Sequence, residues 1–259
     1  NAFRTDYRED INLRTLEIAF DRTCNFACSY CNPAFSTTWA KDIKTHGGYK
    51  DIGPNGDDHY GHSHKNASQF DEDNNPYVEA FFKWWESDLK KTLTHLRLTG
   101  GEPLMSKHTW KLLDLMAEGD SNVSYFAINT NLNSKELLID KLIEKAKTIK
   151  GLHIYSSNES MGDKAEYIRD GLNYEQWLRN FKEGMAVAKT AREMRLDYTI
   201  TMPGLLELKN MFDLSRELDT EILTKVMFTF SNDEILSPLA LPKELLHTLI
   251  DEALAYMEP

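Results

Sequence analysis

Two hydrophobic periods alternate along the chain. Short segments such as Thr15-Leu16-Glu17-Ile18-Ala19-Phe20 alternate like a strand, with Leu16, Ile18 and Phe20 at every second position, and longer ones repeat at about 3.6. The first pattern predicts strands over 15–20, 93–99, 123–129, 151–157, 196–202 and 225–230. The second predicts amphipathic helices over 77–91, 106–118, 134–148, 174–194, 208–219 and 242–257. Two of these helices carry start signals: Ser134 stands in a capping position before Lys135-Glu136-Leu137, and Pro242 fits the first turn of the last helix. Parallel neighbouring strands need a crossover, and a helix after each strand supplies it. The expected class is therefore α/β: a partial (β/α)6 TIM-like barrel of parallel strands, filling 1–259 as one core domain. In such a sheet, reactive groups collect where strands end and helices begin. Tyr125, Tyr155 and Trp177 read as core or rim packing.

One stretch breaks the alternation. From His46 to Pro76 the chain is rich in Gly, Asn, Asp and His, as in Gly53-Pro54-Asn55-Gly56 and Asp71-Glu72-Asp73-Asn74-Asn75-Pro76. A loop of that length inside a compact domain is either functional or disordered, and 46–76 is expected to be an insertion that acts as a lid. It holds His46, His59, His62 and His64; His-x-His in a polar loop with no cysteine nearby is more often solvated than metal-bound.

Charge narrows the function. With 30 Lys and Arg against 41 Asp and Glu, the net charge of −11 argues against general binding to nucleic acid or an anionic membrane, since both need a basic face. Apolar runs fall well short of the roughly 20 residues of a membrane span, and Asn1-Ala2-Phe3-Arg4 is not a signal-peptide core, so a cytoplasmic protein is expected. The chain does not begin with Met and stops at Glu258-Pro259, so truncation at both ends is expected.

All three cysteines, Cys24, Cys28 and Cys31, fall within eight residues, which makes no disulfide framework. Spacings of four and three also suit small buried residues on one helix face, or three of four zinc ligands. The preceding strand pattern, Asp21-Arg22-Thr23 and Pro33 place them instead on a loop leaving a strand. Three thiolates can hold three irons of a four-iron cluster and leave the fourth iron open.

Cys24-Asn25-Phe26-Ala27-Cys28-Ser29-Tyr30-Cys31 resembles the CxxxCxxC motif of the radical S-adenosylmethionine superfamily, including Tyr30, the aromatic residue before the last cysteine. Leu98-Thr99-Gly100-Gly101-Glu102-Pro103, at the exit of the second strand, resembles the family's GGEP motif. Less specific likenesses follow. Ile128-Asn129-Thr130-Asn131 closes the third strand like the family's TNG-type turn, with Asn131-Leu132 where a glycine step is usual. Ser157, Glu159 and Arg169 stand where peptide-modifying members place a serine and an acid on the cofactor ribose and an arginine on its carboxylate, although Glu159-Ser160 replaces the usual Asp-Gly. Asn32-Pro33-Ala34-Phe35-Ser36-Thr37-Thr38-Trp39 looks like the start of members that carry a twitch or SPASM auxiliary domain, whose second cluster needs cysteines this chain does not have; such a domain would be lost or lie beyond Pro259.

The resemblance implies a fold, a cofactor set and a reaction. Cys24, Cys28 and Cys31 would hold a [4Fe-4S] cluster, and S-adenosyl-L-methionine would chelate its open iron. Gly100, Gly101, Glu102 and Pro103 would meet the methionine amino group, with Asn129, Ser157, Glu159, Arg169 and Tyr30 as further cofactor contacts. Reduced flavodoxin or ferredoxin would give the electron that cleaves the cofactor to a 5′-deoxyadenosyl radical, which takes hydrogen from substrate. The expected substrate of this oxidoreductase chemistry is a peptide or protein side chain, with a small metabolite or nucleotide-linked molecule as the alternative. A cluster-binding scaffold without catalysis is the reading from a different class.

Overall fold

The structure, a computed structural model, describes residues 12–49, 75–190, 192–227 and 236–257. Six parallel strands form one sheet: β1 (Thr15–Ala19), β3 (His95–Thr99), β4 (Tyr125–Thr130), β5 (Leu152–Ser157), β7 (Met194–Ile200) and β8 (Ile222–Val226), hydrogen-bonded in that order. Each strand pairs with the next sheet strand in the chain, and the linear order leaves the barrel open among the described residues. Two short strands, β2 (Ala27–Cys28) and β6 (Arg169–Asp170), form a separate antiparallel pair. The α/β class and the partial barrel are as the alternation predicts.

The period of two decides which face is buried against helices. Leu96 and Leu98, Phe126 and Ile128, Leu196 and Tyr198 are all buried, on the face that meets the helices. The opposite face carries Glu17, Arg97, Asn129, Ser157, Asp197 and Lys225, all of which line one cavity. The helical layer is α2 (Pro76–Trp84), α4 (Lys107–Glu118), α5 (Glu136–Thr148), α7 (Tyr174–Val187), α8 (Met202–Glu217) and α9 (Lys243–Met257). α2 continues through a π-helical turn (Trp85–Leu89) into the single turn α3 (Lys90–Thr92). Trp177 and Phe181 of α7 are fully buried, and the Trp177 indole N–H donates to Ser156 Oγ at 2.8 Å, so the tryptophan packs in the core as expected.

Several boundaries differ from the prediction for local reasons. α8 starts at Met202 rather than 208, because Thr201 caps it by accepting from Gly204 N and Pro203 fits its first turn. Ser134 is not the cap of α5; Lys135 holds that position without a side-chain bond, and Ser134 Oγ is buried without a partner. Pro242 precedes the first helical residue of α9, and its carbonyl accepts from Leu246 N. The last sheet strand runs Ile222–Val226 rather than 225–230, of which 228–230 lie outside the described residues. Two helices were not expected: α1 (Thr37–His46) and α6 (Gly162–Ile168). Most of 46–76, with His59, His62 and His64, also lies outside the described residues; His46 ends α1 and pairs with Asp42.

Candidate functional site

The cysteine loop is held by the helix that follows it. Ser36 caps α1 and also donates to Phe26 O at 2.6 Å; Thr38 donates to Cys24 O at 2.7 Å, and Thr37 Oγ1 accepts from Cys24 N at 3.1 Å. The Trp39 indole N–H donates to Cys28 O at 2.8 Å. Ser36-Thr37-Thr38-Trp39 thus anchors the backbone of two of the three cysteines, a role a capping signature could have flagged. On the other side, Cys28 lies opposite Arg169 in the β2–β6 pair, and Ser29 N donates to Ile168 O at 2.8 Å.

A second loop presses against the first. Gly100 has φ +125°, a backbone that favours glycine, and a Cβ there would lie 2.7 Å from Asp21 O. At Gly101 a Cβ would meet Thr23 O at 2.3 Å and the Arg22 carbonyl at 2.6 Å. The pair of glycines is required by the backbone of the segment leading into Cys24. Gly101→Ala is accordingly expected to cost about 1–3 kcal/mol by overpacking, read as a lower thermal midpoint of the chain without metal. A midpoint equal to wild type would show that the two loops separate freely.

These loops open into a cavity of about 540 Å³ lined by Cys24, Cys28, Cys31, Tyr30, Gly100, Gly101, Asn129, Ser157 and Arg169. Nine of the expected site residues therefore share one wall. Glu102, Pro103 and Glu159 are buried behind it. Glu102 accepts from Leu104 N at 3.0 Å and Thr130 Oγ1 at 2.7 Å on one oxygen, and from Asn131 N at 2.7 Å on the other. Glu159 forms a two-point pair with Arg169, 2.6 Å from Nε and 3.0 Å from Nη2, and accepts from the Tyr30 hydroxyl at 2.8 Å. Both groups are buried, so the acid and the arginine expected to meet a cofactor separately meet each other.

The thiols sit in an apolar setting. Burial pushes Cys28 and Cys31 up to about 12 and Cys24 up to about 11, with neighbouring thiols adding to the shift and Arg169 opposing it. At neutral pH the free thiols keep their protons, and binding of any metal group must expel them. Among the described residues no three His, Cys, Asp or Glu side chains converge as ligands of one ion. A four-iron cluster takes one thiolate per iron and needs no common point.

The far end of the cavity was not anticipated. Arg97 Nε donates to Asn129 Oδ1 at 2.7 Å, Asn129 Nδ2 donates to Asp197 Oδ2 at 2.7 Å, and Lys225 reaches the same oxygen at 2.9 Å. Asp197 Oδ1 is buried with no partner. Only the pairing of neighbouring strands brings these residues onto one face as a polar floor.

Compared with family models the chain matches none, and no curated protein matches its sequence. Among solved structures, it is similar to Streptococcus suis SuiB. The crystal structure of SuiB bound to S-adenosylmethionine gives a TM-score of 0.55 at 14% identity, covering 94% of this chain and 48% of that one. A further crystal structure of SuiB gives 0.56 at 13%, and SuiB bound to precursor peptide SuiA gives 0.55 at 13%, each covering 94% of this chain and 46% of the other. The chain spans about half the length of these structures. At such identity the likeness establishes the fold: a parallel α/β partial barrel shared with SuiB.

Proposed function

We propose that this chain is the core of a radical S-adenosylmethionine enzyme. The observation that carries the reading is that the three thiols of the CxxxCxxC loop line one cavity with Gly100, Gly101 and Arg169 at the carboxyl end of a parallel sheet. Three thiols on one loop, all lining one cavity, fit a four-iron cluster with one open iron. Held by Cys24, Cys28 and Cys31, such a cluster would supply, once reduced by flavodoxin or ferredoxin, the one-electron chemistry that turns bound S-adenosylmethionine into a hydrogen-abstracting 5′-deoxyadenosyl radical.

The chain's own residues bind and exclude. Cys24, Cys28 and Cys31 are the cluster ligands, held by α1 and β6; Gly100 and Gly101 bring β3's exit against them, and Asn129, Ser157 and Tyr30 stand at the cavity wall for the cofactor. Glu102 and Pro103 support that wall from behind. Arg97, Asp197 and Lys225 line the floor of the cavity, where they would face the substrate. A peptide is the substrate class we favour, supported by the SuiB fold having been crystallised with its precursor peptide. Any auxiliary cluster of the twitch or SPASM kind would take its cysteines from outside these 259 residues, since all three present are in one loop. No helix of the described residues is long and apolar enough to cross a membrane; thiolate–iron chemistry fits a reducing cytoplasm.

The test is anaerobic reconstitution with iron and sulfide, then dithionite and S-adenosylmethionine, with 5′-deoxyadenosine read by mass spectrometry. About four irons per chain and accumulating 5′-deoxyadenosine are expected. A full cluster without cleavage would overturn the enzyme reading in favour of a scaffold, and absence of iron uptake would overturn both.

A further inference from the structure

Arg169 does more than line the cavity. Its Nε and Nη2 are spent on Glu159, Nη2 also donates to the Tyr30 hydroxyl, and Nη1 donates to Cys28 Sγ at 3.7 Å. The whole assembly is out of water: Glu159 is 0% and Arg169 5% exposed. Backbone pairing fixes it further, because Cys28 lies directly opposite Arg169 and Leu172 N donates to Arg169 O at 2.9 Å. Gly171 completes the fit; its φ is +103°, and a Cβ there would lie 2.9 Å from both Asn25 O and the Phe26 ring. The guanidinium cannot turn toward another partner without breaking the two-point pair.

Resting on the cluster reading above, we propose that Arg169 is a positioning residue that sets the reduction potential of a cluster held through Cys28, by aiming a buried N–H at that sulfur. Reduction adds negative charge that the cluster sulfurs share, so an N–H directed at one of them favours the reduced state. Low surrounding polarity strengthens the effect. Glu159 balances the guanidinium's charge, so what faces Cys28 is a directed dipole next to a neutral pair. The sulfurs are not treated alike: Cys24 Sγ accepts from a backbone amide, Phe26 N at 3.4 Å, and Cys28 Sγ from this side chain.

The two halves of the pair then have opposite effects. Removing both, in R169M/E159Q, takes away the N–H without leaving a lone buried carboxylate, and is expected to make one-electron reduction about tenfold less favourable, about 59 mV more negative. Glu159→Gln alone keeps the guanidinium and removes its balancing charge, so the potential is expected to move in the positive direction. The measurement is an EPR-monitored redox titration of each reconstituted full chain without S-adenosylmethionine, beside iron and sulfide counts. Potentials within error of wild type in both variants, or shifts of the same sign, would overturn the proposal. So would a double variant that fails to hold the cluster, since Arg169 would then be a structural support. A wild-type chain that takes up no iron sinks the cluster reading itself; a loaded wild type with unmoved variants sinks only the role given to Arg169.

Discussion

Cys28→Ala, purified and reconstituted without oxygen, is expected to lose its cluster while keeping its fold. Loss of a partner that merely supports a metal ligand costs roughly 10–100-fold in metal affinity, and loss of the ligand itself costs more. The fold is spared because Cys28 is tied to its surroundings through its backbone: its carbonyl accepts from the Trp39 indole, and its main chain pairs with Arg169 in the β2–β6 bridge. Removing the sulfur leaves the buried Arg169 Nη1 without its acceptor and should cost about 1–3 kcal/mol, at roughly 2–4 °C of thermal midpoint per kcal/mol. Iron and sulfide counts and the visible absorption of the cluster, set beside thermal unfolding, separate the two effects. An alanine variant with a full cluster would remove Cys28 from the ligand set and reopen the bland reading of three small core residues. A variant that fails to fold would show instead that the thiol itself holds β2 in place.

What could be read from the sequence follows physical range. The sheet face toward the helices was legible because Leu96 and Leu98 alternate with the polar His95, Arg97 and Thr99. The cysteine loop and Gly100-Gly101 were legible as motifs, and the structure adds that each glycine is needed by the backbone beside Cys24. Contacts set by the closure of the fold were not legible. Glu159 and Arg169, expected at the ribose and the carboxylate of one cofactor, also bond each other from either side of α6, a contact spacing alone does not show. Asp197 and Lys225 lie 28 residues apart, on neighbouring strands that only the sheet brings together. Ser134 fails as a cap although its residue type is right, because the chain enters α5 one residue later. A short-range rule names a candidate cap without saying which residue takes up the turn.

Glu102→Ala is expected to destabilise the cluster-free chain by about 3 kcal/mol or more, since three buried donors lose their acceptor and each unsatisfied group costs about 1–3 kcal/mol. Those donors are the amides of Leu104 and Asn131 and the Thr130 hydroxyl; meanwhile Glu102's own amide donates to Thr23 O at 2.7 Å. One side chain therefore ties the exit of β4 to its own loop at the exit of β3, and its backbone ties that loop to the segment before Cys24. Burial pushes this carboxyl up and the three donors pull it back. Glu102→Gln keeps one oxygen for Leu104 and Thr130 but turns an amide N–H toward Asn131 N, so its loss should fall between wild type and alanine. At roughly 2–4 °C per kcal/mol for a chain of this size, the alanine variant's midpoint should drop by about 6 °C or more with no ligand present. That condition decides between two roles for the same carboxylate. If Glu102 served only to receive an ammonium group from S-adenosylmethionine, the cluster-free alanine variant would melt like wild type and differ only in cofactor affinity. A carboxylate has about four acceptor positions, and three are taken here. With the side chain buried behind the cavity wall, the structural role is the one expected: a drop in midpoint without ligand in Glu102→Ala and a smaller drop in Glu102→Gln.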